Sequence, residues 1–221
     1  MELIKNLIDY ISHLDKHINL IIQNFGIGAY FLFFAIIFAE TGFVVTPFLP
    51  GDSFLFTLGA FAAVDSLNVV WLAVSLAFAA ILGDSLNYTV GKYIGAKLLA
   101  KGDFGLIKKE YIERTNRFYE KYGPKTIVLA RFVPIVRTFA PFVAGVGKMS
   151  YPKFFAYNVA GGILWINLFI FGGFFFGNIK VVKEHFSITI LVIIFLSILP
   201  GIIEVWKHKR QHHAYQAVRK E

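Results

Sequence analysis

The sequence predicts an all-α integral membrane protein built as a small helix bundle, and two observations lead to this fold class. Hydrophobic residues make up 57% of the 221 positions, including 25 phenylalanines, and the mean hydropathy is +0.62. A soluble domain rarely exceeds about half apolar residues. The apolar residues also form nearly continuous stretches at 25–39, 53–64, 67–82, 154–177 and 186–203. A membrane-spanning helix needs about 20 such residues, so the last two stretches are long enough to span.

The first 24 residues predict an amphipathic helix that lies in the membrane interface. Apolar residues recur there at helical spacing among charged ones, which is typical of interfacial helices. A surface helix packed on the protein itself would show the same pattern, and it stays open as the alternative.

Two basic segments predict the orientation of the chain. Lys and Arg outnumber Asp and Glu by 22 to 14, and the excess comes mainly from 101–125 and from the tail at 207–221. Because cytoplasmic loops carry an excess of Lys and Arg, we expect both segments and both termini in the cytoplasm. A surface helix is expected at about 105–122. The same rule explains the basic tail more simply than nucleic-acid binding does, so no nucleic-acid partner is expected.

Proline and glycine interrupt the apolar pattern at two corresponding places, about 40–64 and about 125–150. With the basic segments inside, the first must open from the outside and the second from the cytoplasm. We therefore predict two opposed re-entrant hairpins within a single membrane domain at 25–206, as in inverted-repeat transporters. Two short ordinary helices joined by a tight turn are the alternative for the first. The residues predicted to hinge the hairpins are Pro47, Pro50, Gly51, Pro134, Pro141 and Gly145.

Four charged residues lie in these two segments, at the predicted depth of the membrane. Glu40 and Asp52 belong to the first segment, and Arg131 and Arg137 to the second. Each would cost roughly 2.5–3.5 kcal/mol at the centre of a spanning helix, so we expect them to face one another, water or a ligand. Two salt bridges that hold the hairpins together would explain these charges as well as a binding site does.

Three motifs of this region resemble those of the bacterial DedA family, also called the SNARE-associated or VTT-domain family. They are ETGFVVTPFLPGD (40–52), GDSLNYTVGKYIG (83–95) and ARFVPIVRTFAPFVAG (130–145), and YNVAGGILW (157–165) fits the same pattern. The resemblance implies two opposed re-entrant hairpins in a multi-pass protein of the bacterial inner membrane. It also implies that the family's essential acidic pair corresponds to Glu40 and Asp52, and its essential arginine pair to Arg131 and Arg137.

The function that the resemblance implies is the movement of lipids, notably the return of undecaprenyl phosphate across the inner membrane. Other members of the family are linked to phosphatidylethanolamine movement or to proton-dependent tolerance of alkali and cationic drugs. A phospholipid translocase or scramblase, and a proton-coupled exporter of cations or drugs, are therefore the alternatives.

The chemistry of the four residues suits a polyprenyl phosphate or phospholipid headgroup. Guanidinium groups bind phosphate oxygens bidentately, so Arg131 and Arg137 are expected to bind the headgroup. Burial favours the neutral form of a carboxyl group, so Glu40 and Asp52 are expected to carry protons, or sodium ions, that drive transport. As neutral acids they would leave the arginines to the phosphate, and as carboxylates they would displace it.

Weaker candidates are Asp84 as a third membrane acid, and Tyr88 and Asn158 as hydrogen-bond donors to a headgroup. A helix-breaking turn with a solvated carboxylate is an equal alternative for Asp84, and capping and packing are commoner roles for residues such as Tyr88 and Asn158. The three tryptophans, Trp71, Trp165 and Trp206, are expected to anchor the protein at the membrane interface.

An enzyme is not expected. The six histidines lie outside the long apolar stretches or at their ends, and the chain contains no cysteine. A lipid phosphatase would need a nucleophile with a partner base, and no His, Asp or Glu cluster has metal-ligand spacing. The sequence therefore predicts no catalytic residue, no cofactor and no metal site.

Overall fold

The computed structural model describes residues 26–43, 51–64, 67–100 and 109–184, together with the single positions 189 and 192. Its ordered segments are helices, and the described part of the chain contains no strand, which confirms the all-helical prediction there. The elements are α1 Ile27–Gly42, α2 Gly51–Ala62, α3 Val69–Ala100, α4 Lys109–Tyr122, a 3-10 turn Gly123–Lys125, α5 Thr126–Ala130, α6 Pro134–Val146, α7 Tyr151–Gly177 and α8 Lys180–Glu184.

Among the described residues, two helices are long and apolar enough to cross a membrane: Val69–Gly95 within α3, and α7 itself, each with 27 residues. At about 1.5 Å per residue this length is about 40 Å, more than the hydrocarbon core of about 30 Å. Large apolar side chains cover the outside of the bundle, among them Phe31, Phe78 and Phe175, each more than half exposed. A contiguous apolar surface of this kind is unusual in a soluble monomer and is suited to contact with lipid.

Each half of the bundle contributes one short helix that packs on the long helix of the other half. In the first half α1 packs on α3, and in the second half α5 packs on α7. The helix that follows each break packs on the long helix of the other half, so α2 lies on α7 and α6 lies on α3. The main apolar core, which includes Phe33, Leu55, Phe61, Leu76 and Ile170, lies where α1, α2, α3 and α7 meet.

Glycines allow the exchanged helices to approach one another very closely. A Cβ atom at Gly173 of α7 would overlap the carbonyl oxygen of Phe56 in α2, and one at Gly145 of α6 would overlap that of Tyr88 in α3. Small residues at helix interfaces are typical of membrane proteins, because close backbone approach increases van der Waals contact where lipid offers no hydrophobic driving force. The glycines therefore fix which helix faces pair.

The second proline-rich segment breaks at one place only. α5 ends at Ala130, and α6 begins at Pro134 after the extended residue Val133. Proline is favoured at this first helical position because its missing N–H has no intrahelical acceptor there. The hinge prediction does not hold for Pro141 and Gly145, which both lie inside the continuous helix α6. Packing of α6 on α3 keeps the helix intact across Pro141, and Gly145 serves that packing.

The remaining predicted elements are only partly within the described residues. Gly51 is the first residue of α2, whereas Pro47 and Pro50 lie outside the described residues. So do the predicted helix at 1–24, the tail at 207–221 and, except for positions 189 and 192, the apolar stretch at 186–203. The surface helix predicted at 105–122 is observed as α4 from Lys109. It docks on α6 through buried Ile112 and through Tyr119, whose hydroxyl donates to the carbonyl of Ala140 at 2.9 Å.

The close contact between α2 and α7 gives a paired test of the packing. Gly173→Ala should lower the thermal unfolding midpoint in detergent, because the added methyl group meets the Phe56 carbonyl, and overpacking typically costs about 1–3 kcal/mol. Gly172→Ala is the matched control, since its Cβ would lie at an ordinary 3.7 Å from the Phe56 ring. Equal midpoints for the two variants would contradict the packing described here.

Candidate functional site

Five charged residues converge between the two halves of the bundle. They are contributed by the end of α1 (Glu40), the start of α2 (Asp52), the middle of α3 (Asp84), the turn before α6 (Arg131) and the first part of α6 (Arg137). Four of them line a cavity of about 10 Å³ that Trp165 of α7 also borders. Such a volume is about the smallest that holds one water molecule, so the site, as the described residues form it, is closed to a larger ligand.

Arg137 binds both acids of the first proline-rich segment. Its Nη1 donates to Asp52 Oδ1 at 2.6 Å, and its Nη2 pairs with Glu40 Oε1. The planar fork of a guanidinium suits two acceptors at once. Glu40 is buried, whereas the Asp52 side chain is 34% exposed. One arginine of the second half thus joins the two acids of the first half.

Arg131 has a separate set of partners on the two long helices. Its Nη2 donates to Asp84 Oδ2 at 2.5 Å and to Asn158 Oδ1 at 2.6 Å. The amide of Asn158 is oriented by its own donation to the carbonyl of Ile81 at 3.0 Å and to Ser85 Oγ at 3.3 Å. Asp84 and Asn158 therefore both accept hydrogen bonds from Arg131, so these acceptor oxygens are already occupied.

Trp165 lies at the centre of the cluster and not at the membrane interface, so the prediction of an interface anchor was wrong for this residue. The side chain is 1% exposed. Its indole N–H donates to Asp52 Oδ1 at 2.9 Å, and its ring centroid lies 5.6 Å from Arg131 Cζ and 5.3 Å from Arg137 Cζ. Both distances are within the range of cation–π attraction.

The burial of Trp165 follows from the register of α7. Gly161 and Gly162, one turn earlier, make room for the cluster, because a Cβ atom at Gly161 would lie 3.2 Å from Arg131 Nε. The pair of glycines before a tryptophan in YNVAGGILW was the available sequence signal. An interface anchor needs no such small neighbours.

Tyr88, one of the sequence candidates, lies away from the charge cluster. Its hydroxyl donates to the carbonyl of Met149, and its ring stacks on Phe154 with centroids 4.4 Å apart. The residue is buried and does not border the cavity. Its position supports the packing role and not contact with a headgroup.

Asn87 is a buried polar residue of the site region that the sequence interpretation missed. Its Nδ2 donates to the carbonyl of Thr41 at 3.2 Å and to that of Thr138 at 2.8 Å. It thus ties the end of α1, next to Glu40, to α6, next to Arg137. The available signal in the sequence was an amide one turn after Asp84, on the same helix.

The cluster holds three carboxyl groups and two guanidinium groups, so one negative charge is in excess if all five are ionised. No group of three or more His, Asp or Glu side chains in the described ranges is placed to hold a metal ion. The arrangement can exchange protons and can bind an anion, because an added anion and the carboxylates compete for the same guanidinium groups.

Apolar helices around a buried charge cluster define the class: a helical membrane protein with a polar site between two halves. The family model of the VTT domain matches residues 49–175 of the chain. Protein DedA of Escherichia coli K12 is 51% identical over 212 residues, which cover 95% of this chain and 97% of that protein. The chain belongs to the DedA family of membrane proteins, as its motifs indicated.

More distant relatives agree with this assignment. An uncharacterized membrane protein of Mycobacterium leprae is 42% identical over 171 residues, or 77% of each chain. The inner membrane protein YghB of Escherichia coli K12 is 31% identical over 192 residues, 87% of this chain and 83% of that protein. No solved structure matches the chain.

The buried pair of Arg131 and Asp84 should be a major contributor to stability. Asp84→Ala should destabilise the protein by about 3–5 kcal/mol, because a guanidinium is left buried without its counter-charge. Denaturant unfolding in detergent measures this loss. The double variant Asp84→Ala with Arg131→Leu should regain much of it, since neither charge then remains. A double variant as unstable as the single one would show that the pair is not the cause.

Proposed function

We propose that this protein is a lipid transporter that returns undecaprenyl phosphate across the bacterial inner membrane, driven by the proton gradient. The observation that carries the proposal is the largely buried cluster of two guanidinium and three carboxyl groups between the two halves. The proposed role is transport without a catalytic step, because the polar groups of the cluster suit binding and proton exchange.

The headgroup chemistry supports this substrate class. A polyprenyl phosphate has a small anionic head and a long apolar tail, and the head alone needs a polar site. Arg131 and Arg137 both border the cavity, and their guanidinium groups offer bidentate donors for phosphate oxygens. The tail needs no enclosed pocket, because it can stay in the lipid that surrounds the apolar exterior.

Competition between carboxylates and phosphate supplies the coupling. In the closed site Arg137 is bound by Asp52 at 2.6 Å and by Glu40, so a phosphate group must displace at least one of them. Each proton taken up by Glu40 or Asp52 removes a competing anion and reduces the negative charge of the cluster. Loss of the protons restores the ion pairs and releases the phosphate, which links headgroup movement to proton movement.

Transport also requires the two halves to separate, because the cavity of about 10 Å³ has room for about one water molecule and not for a phosphate group. We propose that the segments at about 40–64 and 125–150 are opposed re-entrant hairpins that open the cluster to either side in turn. In this arrangement both termini and α4 lie in the cytoplasm.

Cysteine labelling tests this topology. Single cysteines in place of Lys109 and Lys209 should react with a membrane-impermeant reagent only from the cytoplasmic side, and one in place of Ser66 only from the outside. The basic segments stay inside by the positive-inside rule, so positions 109 and 209 act as each other's control. Labelling of these two from opposite sides would exclude the opposed hairpins.

Arginine-to-lysine variants test the phosphate site. Arg131→Lys and Arg137→Lys should insert normally yet lose most transport, at least about tenfold, because a lysine cannot provide the planar fork. The measurement is the surface exposure of undecaprenyl phosphate in cells whose other carriers of this lipid are deleted.

Matched controls are Lys148→Ala and Lys153→Ala, which change exposed cations beyond α6 and should retain activity. Normal transport by both Arg131→Lys and Arg137→Lys would favour a purely structural ion-pair network. So would rescue by exchanging the charges of Asp52 and Arg137, the pair in contact at 2.6 Å.

A further inference from the structure

The carboxylate of Glu40 lies against the N-terminus of α2. A Cβ atom at Gly51, the first residue of α2, would overlap both carboxylate oxygens of Glu40. The first turn of a helix presents N–H groups that have no intrahelical acceptor, and its partial positive charge attracts anions. α2 has 12 residues, long enough for this effect. The absence of a side chain at Gly51 is what allows an anion to approach this helix end.

Two further observations indicate that this place is built for an anion. Glu40 is only 4% exposed, and its Oε2 is buried without a hydrogen-bond partner among the described residues. On its other oxygen, the carboxylate pairs with the guanidinium of Arg137. We call the space between Gly51 and Arg137, now filled by the Glu40 carboxylate, the anion seat. Its one occupant leaves an oxygen unsatisfied.

We propose that the anion seat is where the transported phosphate group binds, and that the Glu40 carboxylate is a tethered competitor that fills the seat when phosphate is absent. This inference rests on the proposed function and names the place of binding within the cluster. Carboxylate and phosphate oxygens accept hydrogen bonds from the same guanidinium and N–H donors. A phosphate has more oxygens and can use donors that a carboxylate leaves unused.

The other charged residues of the cluster have different environments. Arg131 is held by Asp84 and Asn158 at 2.5 and 2.6 Å, so it adds positive charge to the cavity without giving up a partner. Asp52 is held by the indole of Trp165 and is more exposed than Glu40. Glu40 is thus the acid whose displacement opens a place between a helix N-terminus and a guanidinium.

Trp165 provides a local reporter for the test. The chain has three tryptophans, so Trp71→Phe with Trp206→Phe leaves Trp165 alone, with its ring 5.3 Å from Arg137 Cζ. Its fluorescence is titrated at one fixed pH with two probes, farnesyl phosphate and inorganic phosphate. A response to farnesyl phosphate alone assigns the seat to a lipid headgroup, whereas equal responses to both assign it to phosphate itself.

Three variants in this background separate the seat from general effects. Glu40→Ala should lower the Kd for farnesyl phosphate by about tenfold or more, the effect of losing a competitor worth about 1.4 kcal/mol. Adding Gly51→Ala to that variant should raise the Kd again, at least to the value before Glu40 was changed, because the new methyl group fills the seat. Glu113→Ala, which removes an exposed glutamate of α4, should leave the Kd unchanged.

A Glu40→Ala protein that is folded by circular dichroism and gel filtration yet binds no more tightly would overturn the proposal. If this variant does not fold, Glu40→Gln replaces it, because it keeps the shape and removes the charge; an unchanged or higher Kd then has the same meaning.

Vesicle transport of undecaprenyl phosphate distinguishes this inference from the proposed function. Tightened probe binding without any transport by the unmutated protein would support the seat and refute the proposed function. Transport by the unmutated protein, without tighter probe binding in the Glu40 variants, would support the proposed function and refute the anion seat.

Discussion

A guanidinium group held between two carboxylates of the opposite half is the interaction on which the rest of the structure depends. Arg137 of α6 binds Asp52 of α2 at 2.6 Å and also pairs with Glu40 of α1. Charges inside an apolar bundle are costly unless they are paired, so the end of α1 and the starts of α2 and α6 must meet at one place. The exchange of short helices between the halves, with α2 on α7 and α6 on α3, satisfies that requirement.

Close backbone packing is the second condition for this meeting of charges. Gly173 against the Phe56 carbonyl and Gly145 against the Tyr88 carbonyl bring the exchanged helices together on both sides of the cluster. Between them, Gly161 leaves room for the stem of Arg131. The charge cluster therefore depends on the glycines, because larger residues at the three glycine positions would hold the guanidinium groups away from their partners.

The same ion pairs have consequences for the proposed transport. The contacts that a phosphate group must replace on Arg137 are the contacts that join the two halves, so ligand binding and opening of the site both require the same bonds to break. A ligand that binds the open arrangement better shifts the population towards it, and opening in turn favours the ligand. The second pair, Arg131 with Asp84 and Asn158, links the turn before α6 to both long helices and is able to stay intact meanwhile.

The sequence by itself determined the helical membrane class, the long apolar helix over 154–177 and the five charged residues that form the site, because composition and apolar run length are local properties. The tertiary structure alone decided the partners: Arg137 with both acids of the first segment, Arg131 with Asp84, and Trp165 inside the cluster rather than at the interface. It also placed Pro141 and Gly145 within a continuous helix. These outcomes depend on which face each helix turns towards its neighbour, and that rotation is set by close packing between residues far apart in the chain.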